Sequence, residues 1–285
     1  MAWDFQLVAG PYPGRTDGPV WNGSGIMFAS NGENALRRYD PAADTAEVFR
    51  SHWIRLRGLA YDAHGRLFGC QSGSRRIVRF NEDGSASPVR ARLDGQLHNC
   101  PDDLVIDRRG RIWFSDPHDP EPPRGPDIRP FLDHQSVLRL EQTDDDDGWR
   151  LQRMTADTRC PRGVALSLDE RTLYVADSED DPGGVHEIRA YSVADDGPMG
   201  SGRVLFSLGP EYAGVDGLRL GPAGHLLACI AARSGPGAIC VIATDGNLLE
   251  KYRLPEGQPT SCAVGGPERD VIYVTTAEGH LFRAA

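Results

Sequence analysis

Five ionisable side chains stand at one recurring place in this chain. Asp17, Arg57, Asp102, Arg162 and Asp216 each sit just ahead of the glycine or aspartate that opens a short apolar run, and Ser261 before Cys262 holds the sixth such place. A carboxylate can ligate a hard cation, or accept and return a proton. A guanidinium has five N–H donors and no acceptor. Arg57 and Arg162 can therefore pair with a carboxylate or hold an anion, but cannot ligate a cation. His118, which follows Phe114-Ser115-Asp116-Pro117, is of the residue type whose ordinary pKa suits acid–base work, although a lone loop histidine is more often simply solvated.

The elements that must position these groups are strands. Residues 25–29, 67–70, 111–115, 172–176 and 271–275 are apolar and β-rich, each long enough for a strand and too short for a helix. The anchors Gly18, Gly58, Asp103, Gly163, Gly217 and Cys262 lie 40, 45, 60, 54 and 45 residues apart. A period near 40–50 residues with several strands per repeat is the pattern of a β-propeller. Six anchors predict an all-β, six-bladed propeller spanning residues 1–285 as one domain; a β-sandwich leaves the six repeats unexplained. The last repeat runs out of chain after Phe282-Arg283, so the strand at residues 5–8 is predicted to supply its outer strand and close the ring. The first strand of a propeller blade lines the central channel. The six recurring residues are thus expected to converge at one channel mouth, joined by loops at Asn31, 71–75, 116–119, 177–181 and Arg233. Loops carried on a rigid scaffold are where function usually sits.

Other segments read more plainly. The Pro-rich stretch 119–133 is expected to form a stiff lid over the mouth. Residues 144–147, four aspartates before Gly148, lack the alternating spacing of a calcium loop and read as an acidic hairpin tip. Glu179, Asp180 and Asp181 read as a solvated loop facing the mouth.

Composition removes several function classes. The chain has 285 residues with 41 acidic and 31 basic side chains, a net charge of −10, and 39% hydrophobic residues. That is enough apolar content for a real core. The pI is near 5.3 and the mean hydropathy −0.43, and the chain has no basic block of the kind that nucleic-acid phosphates require. No apolar run approaches the ~20 residues of a membrane helix. The opening residues lack the basic-then-apolar layout of a signal peptide, so a cytoplasmic protein acting on a small molecule is expected. The six cysteines form no CxxC pair, and Cys70, Cys229 and Cys240 read as small buried hydrophobes. HExxH, P-loop and G-x-S-x-G patterns are absent, leaving zinc protease, nucleotide hydrolase and serine esterase without support.

The anchor segments resemble those of the gluconolactonase, regucalcin and luciferin-regenerating-enzyme family of six-bladed propellers. Asp17-Gly18-Pro19-Val20-Trp21 is similar to E-G-P-x-W, Asn99-Cys100-Pro101-Asp102-Asp103-Leu104 to N-S-P-N-D-L, and Phe114-Ser115-Asp116-Pro117 to F-T-D-P. Pro161-Arg162-Gly163, running on through Leu173-Tyr174-Val175-Ala176-Asp177, resembles P-N-G leading to L-Y-V-A-D. Pro259-Thr260-Ser261 resembles P-T-N. The likeness covers nearly the whole chain and keeps its order. It implies calcium or another divalent ion in the channel mouth, held by a Glu, two Asn and an Asp, and hydrolysis of a sugar lactone or related ester. In such a site the cation polarises the ring carbonyl and activates water.

Carried onto this chain, the Glu falls at Asp17, the first Asn at Asp102, the second at Arg162 and the Asp at Asp216; only Asp216 is unchanged. Asn99 and Cys100 lie beside the site in the family pattern and are candidates for substrate contact together with Arg57 and Arg162. Cys100 as a nucleophile needs a cationic neighbour. Two readings follow. In one, Asp17, Asp102 and Asp216 still hold the metal and Arg162 binds a substrate anion. In the other, Arg162 takes the cation's place between Asp102 and Asp216. The leading expectation is a lactonase-type hydrolase for a small sugar-like or carboxylated lactone or ester. Asp216 and Asp102 would activate water, with His118 as a further acid–base candidate. The alternatives are a non-hydrolytic isomerase, cyclase or condensing enzyme working without metal, and a propeller that binds without turnover.

Overall fold

Each repeat folds into a four-stranded antiparallel sheet, and six such sheets form the blades of a propeller. The computed structural model describes residues 3–52, 55–81, 85–89, 91–119, 130–143, 148–179, 181 and 183–285. The hairpin tip read at 144–147, residues 120–129 of the Pro-rich stretch, and Asp180 lie outside the described residues.

The innermost strands are β2 (Thr16–Trp21), β6 (Leu56–Tyr61), β10 (Leu104–Ile106), β14 (Pro161–Leu166), β18 (Tyr212–Leu220) and β22 (Pro259–Gly265). Each sequence anchor lies in one of them, except Asp103, which immediately precedes β10. The ring closes as expected from the truncated last repeat. Strand β1 (Gln6–Ala9) pairs with β24 (Leu281–Ala284), completing the sheet β1-β24-β23-β22, where β23 is Val271–Thr276.

Blades pack face to face, so their middle strands are buried on both sides. This is why those strands appear as continuous apolar runs rather than as alternating ones. All five residues of the second strand of the first blade, Ile26–Ser30, are buried. Between blades four and five, Tyr174 and Ile188 pack against Val215, Leu218 and Ile230. Between blades two and three, Phe68 and Cys70 pack against Leu104, Phe114 and Leu138. Outer strands carry most of the exposed large apolar residues, among them Val48, Phe49 and Leu249. All six cysteines are buried. Among the described residues no helix is long and apolar enough to cross a membrane.

A repeated irregularity of the inner strands positions the site. In β6, β14 and β18 the pairing slips between Leu56 and Leu59, Pro161 and Val164, and Val215 and Leu218. The two residues inside each slip are Arg57-Gly58, Arg162-Gly163 and Asp216-Gly217. Strand β2 slips one position later, between Asp17 and Val20, around Gly18-Pro19. A β-bulge breaks the in–out alternation and re-aims a side chain, here toward the channel mouth. The glycine of each pair meets the next blade. A Cβ on Gly58 would stand 2.5 Å from Asp103 Oδ1, one on Gly163 2.5 Å from the Asp216 carbonyl, and one on Gly217 2.7 Å from Ser261 Cα. Gly18 has a φ of 55°, and a Cβ there would overlap the Arg57 carbonyl. The recurring glycines are therefore the points at which six strands crowd around one axis.

Candidate active site at the channel mouth

The mouth holds an alternating cluster of carboxylates and guanidiniums. Arg15 donates from Nε to Asp17 Oδ2 at 2.7 Å and from Nη2 to Asp216 Oδ2 at 2.8 Å, bridging blades one and five. Arg57 sits among three carboxylates: Nη1 is 3.5 Å from Asp17 Oδ2, Nε 3.6 Å from Asp102 Oδ1 and Nη2 3.9 Å from Asp119 Oδ2. Arg55 Nη1 lies 3.1 Å from the same Asp119 oxygen. These groups border a cavity of about 280 Å³ whose wall includes Arg15, Arg57, Arg162, Asp119, Ser178 and Asp216. Asp17 and Asp102 are 4% and 7% exposed and do not reach that wall, whereas the Asp216 side chain keeps 26% of its surface.

The cluster splits its carboxylates. Burial opposes ionisation of Asp102, but Arg57, Arg162 and Arg15 together hold its carboxyl below the ordinary range. Burial pushes Asp216 above that range. Arg15 and Arg162 pull it back, and the nearby charges of Asp102 and Asp17 push it further up. Arg15 stays firmly ionised: its burial cost is outweighed by Asp17, Asp216 and Asp102. Neighbouring acids driven in opposite directions are the usual arrangement for dividing proton-holding from charge-holding roles.

Further down the channel, Asp103 stands where four of the other repeats have glycine. Its carboxylate accepts two N–H groups of Arg219, from Nη1 and from Nη2 (2.9 Å), and the Val164 N–H at 3.3 Å. Burial pushes the Asp103 carboxyl up against the pull of Arg219. Arg219 also lines a separate, largely apolar cavity at the far end of the inner strands, with Val105, Leu166 and Val264. The Asp103–Arg219 pair thus forms a floor between the two openings.

Two carboxylates at the ends of second strands set the loops that lead into the site. Asp116 accepts the Asn99 N–H at 2.6 Å, ahead of Asp102. Asp177 accepts the Cys160 N–H at 2.6 Å and the Arg159 N–H at 3.0 Å, ahead of Arg162.

The sequence-derived candidates divide accordingly. Asp17, Asp102, Asp216, Arg57 and Arg162 come together. Asn99 does not face the cavity. Its amide donates to the Asp116 and His134 carbonyls (3.0 and 2.9 Å) and accepts the Leu132 N–H at 2.7 Å. Cys100 is 1% exposed, and burial pushes its thiol up to about 12. His118 stacks on Phe131 at 4.9 Å and donates from Nε2 to the Leu132 carbonyl at 3.0 Å, fastening the end of the Pro-rich stretch.

Arg15 escaped the sequence reading, and Ser178 entered it only as part of the 177–181 loop. Arg15 lies two residues before Asp17, on the same face of an extended chain, and that Arg-x-Asp step was the available signal. Ser178 shares a 2.9 Å hydrogen bond with His186 Nδ1 and accepts the Val215 N–H at 3.2 Å.

A divalent ion does not fit this donor set. Calcium takes six to eight oxygen ligands, and here the carboxylates of Asp17 and Asp216 are hydrogen-bonded to Arg15 and that of Asp102 faces Arg57. Among the described residues no group of three or more Asp, Glu, His or Cys side chains is arranged to hold a metal. A dication about 4 Å from one guanidinium would be repelled by about 8 kcal/mol at an effective dielectric constant of ~20.

A family model described as the SMP-30/gluconolactonase/LRE-like region matches residues 15–278. The chain belongs to this family. Among SMP-30/gluconolactonase-like relatives, a gluconolactonase from Zymomonas mobilis is 28% identical over 289 residues, covering 92% of this chain and 76% of that one. A pentonolactonase from Haloferax volcanii is 26% identical over 275 residues, covering 92% and 81%. The solved structure of a gluconolactonase from Xanthomonas campestris superposes with a TM-score of 0.81 at 29% identity, covering 99% of this chain and 89% of that one. Family membership and these relatives make the chain a lactone-hydrolase type of enzyme acting on a small molecule.

Proposed function

We propose that the protein opens a small sugar-like or carboxylated lactone at this mouth, with Asp216 handling the proton. The observation that carries the reading is a cavity whose wall combines three guanidiniums with the carboxylates of Asp119, Glu179 and Asp216, of which Asp216 is partly exposed and bridged by Arg15. In the proposed step, Asp216 takes a proton from a water whose oxygen attacks the lactone carbonyl carbon. The charge that develops on the carbonyl oxygen is received by N–H donors of Arg57 and Arg162, a preorganised stabilisation. The bond between the acyl carbon and the ring oxygen then breaks, and the ring oxygen takes the proton back from Asp216. One water is consumed and a hydroxy acid leaves. Asp102, kept ionised, neutralises and orients the arginines.

Hexono- and pentonolactones are the first substrates to try, because gluconolactonase and pentonolactonase relatives match over most of the chain. Ring opening followed by proton release, corrected for the spontaneous rate, is expected for at least one of them. Asp216→Asn is expected to lower kcat by about 10²–10⁴-fold, the usual loss of an acid–base group. Full activity in that variant sinks the assignment. A product of unchanged mass, rather than one heavier by a water, selects the non-hydrolytic reading. Tight binding without turnover selects a binding propeller.

A further inference from the structure

We propose that Arg15 is the resident cation of this mouth, standing where a carboxylate-lined site would otherwise place a divalent ion, so that the enzyme works without metal. The inference deepens the hydrolytic reading above and rests on it.

Three observations carry it. First, the Arg15 guanidinium joins Asp17 of the first blade to Asp216 of the fifth, 201 residues away from Arg15, at 2.7 and 2.8 Å. Those distances are typical of charge-assisted hydrogen bonds. A guanidinium that cross-links two blades in this way serves as a counter-ion between their carboxylates. Second, Arg15 is held in place by its neighbour. Thr16 is fully buried, and its hydroxyl donates to the His280 carbonyl at 2.7 Å, while Thr276 N–H donates to the same hydroxyl at 3.1 Å. The start of β2 is thereby pinned to the last blade, and Arg15 enters the mouth from a fixed backbone. Third, guanidiniums already stand among the carboxylates of the mouth. Arg15 bonds Asp17 and Asp216, and Arg57 sits between Asp17, Asp102 and Asp119. An arriving dication would have to displace these pairs and would face the positive side chains of Arg15, Arg57 and Arg162.

The chemical consequence is a change of electrophile. A metal ion polarises a carbonyl by direct ligation, whereas guanidiniums offer directional N–H donors that favour a planar oxygen acceptor or a carboxylate. The structure therefore assigns the substrate's carbonyl to N–H donors, with no bond to an ion.

The test separates this inference from the hydrolytic reading, because ion binding is measured without turnover. Calcium, magnesium, manganese and zinc are titrated into the full chain by calorimetry, and thermal unfolding is followed with and without each ion. No binding heat and no rise in Tm are expected, with metal content well below one ion per chain. The ring-opening rate is expected to be unchanged after exhaustive chelation. In Arg15→Met, which releases the carboxylates of Asp17 and Asp216, calcium is expected to raise Tm where it does not in the parent chain. Ring opening in that variant is expected to fall by about 100-fold or more. Arg15→Lys keeps the charge without the two-pronged bridge, and its ring opening is expected between the two. If Arg15→Met fails to fold, the parent titration decides. One ion per chain in the parent protein, abolished by Asp216→Asn, overturns the inference even if lactones are hydrolysed. Absence of lactone turnover overturns the hydrolytic reading while the calorimetry still reports on Arg15.

Discussion

Asp102 and Asp216 carry opposite charge tendencies in the mouth because of where the arginines stand. Asp102 has Arg57, Arg162 and Arg15 acting on it. Asp216 has Arg15 and Arg162 set against the repulsion of two other carboxylates. The same logic explains the floor, where Asp103 and Arg219 are paired and largely out of water. Removing one partner of a buried ion pair costs about 3–5 kcal/mol, because the other charge is left uncompensated. Arg219→Met is therefore expected to lose about that much stability, read by urea unfolding; a loss below about 1 kcal/mol would show Asp103 to be well solvated. Cysteine chemistry is expected to be silent. With its thiol pushed up to about 12 by burial, Cys100 is ionised at pH 8 to about one part in ten thousand. Mass spectrometry after iodoacetamide treatment of the native protein should show no rapid label on Cys100. Fast labelling there contradicts the burial.

The inner strand is the element that turns a repeat into a site. Its bulge points one side chain at the mouth while the following glycine lets the next blade approach, so packing and function share two adjacent residues. A Cβ at position 163 would press on the Asp216 carbonyl, coupling Arg162 and Asp216 through the backbone. Gly163→Ala is expected to cost about 1–3 kcal/mol, the usual penalty of overpacking, and to lower kcat as the two groups move apart. Gly200 has open space around its would-be Cβ, so Gly200→Ala is expected to stay within about 0.5 kcal/mol of the parent. Equal effects at the two positions would remove the crowding argument. The carboxylates Asp116 and Asp177 belong to this scale too, since each ties down the loop that delivers a mouth residue. Their motifs were visible in the sequence, but the loop N–H groups they receive were not.

Across the whole molecule, closure by β1 makes first and last repeats neighbours. That contact is what places Arg15 and Asp17 within reach of a site otherwise built from later blades. The N-terminal segment is anchored by more than strand pairing: Phe5 is 6% exposed, and Trp3 packs on Tyr252 at 4.6 Å between ring centroids. Phe5→Ala is expected to cost about 3–5 kcal/mol as a large-to-small core change. Deleting residues 1–9 is expected to lower Tm further and to expose the edge of β24, an invitation to strand-edge association, visible in light scattering. A truncated chain that keeps the parent Tm and stays monodisperse would show that the ring closes without β1.

The six-bladed ring and the identity of most mouth residues could be read from the chain alone, because both follow from local facts. Strand runs are short and separated by turns. One residue before each anchor falls at the mouth, and glycine marks where strands must crowd. The pairing inside the mouth could not be read in that way. Arg162 was the natural substitute for a cation by its place in the repeat, and it acts on both Asp102 and Asp216; the guanidinium of Arg15, ahead of the first repeat's marked residue, which hydrogen-bonds Asp17 and Asp216, was not legible. Asn99 and His118, which share the neighbourhood in sequence, spend their polar atoms on holding residues 131–134. Spacing along a strand sets which way a side chain points. Which charge it meets depends on where six strands from distant parts of the chain converge, and on side chains long enough to reach across blades.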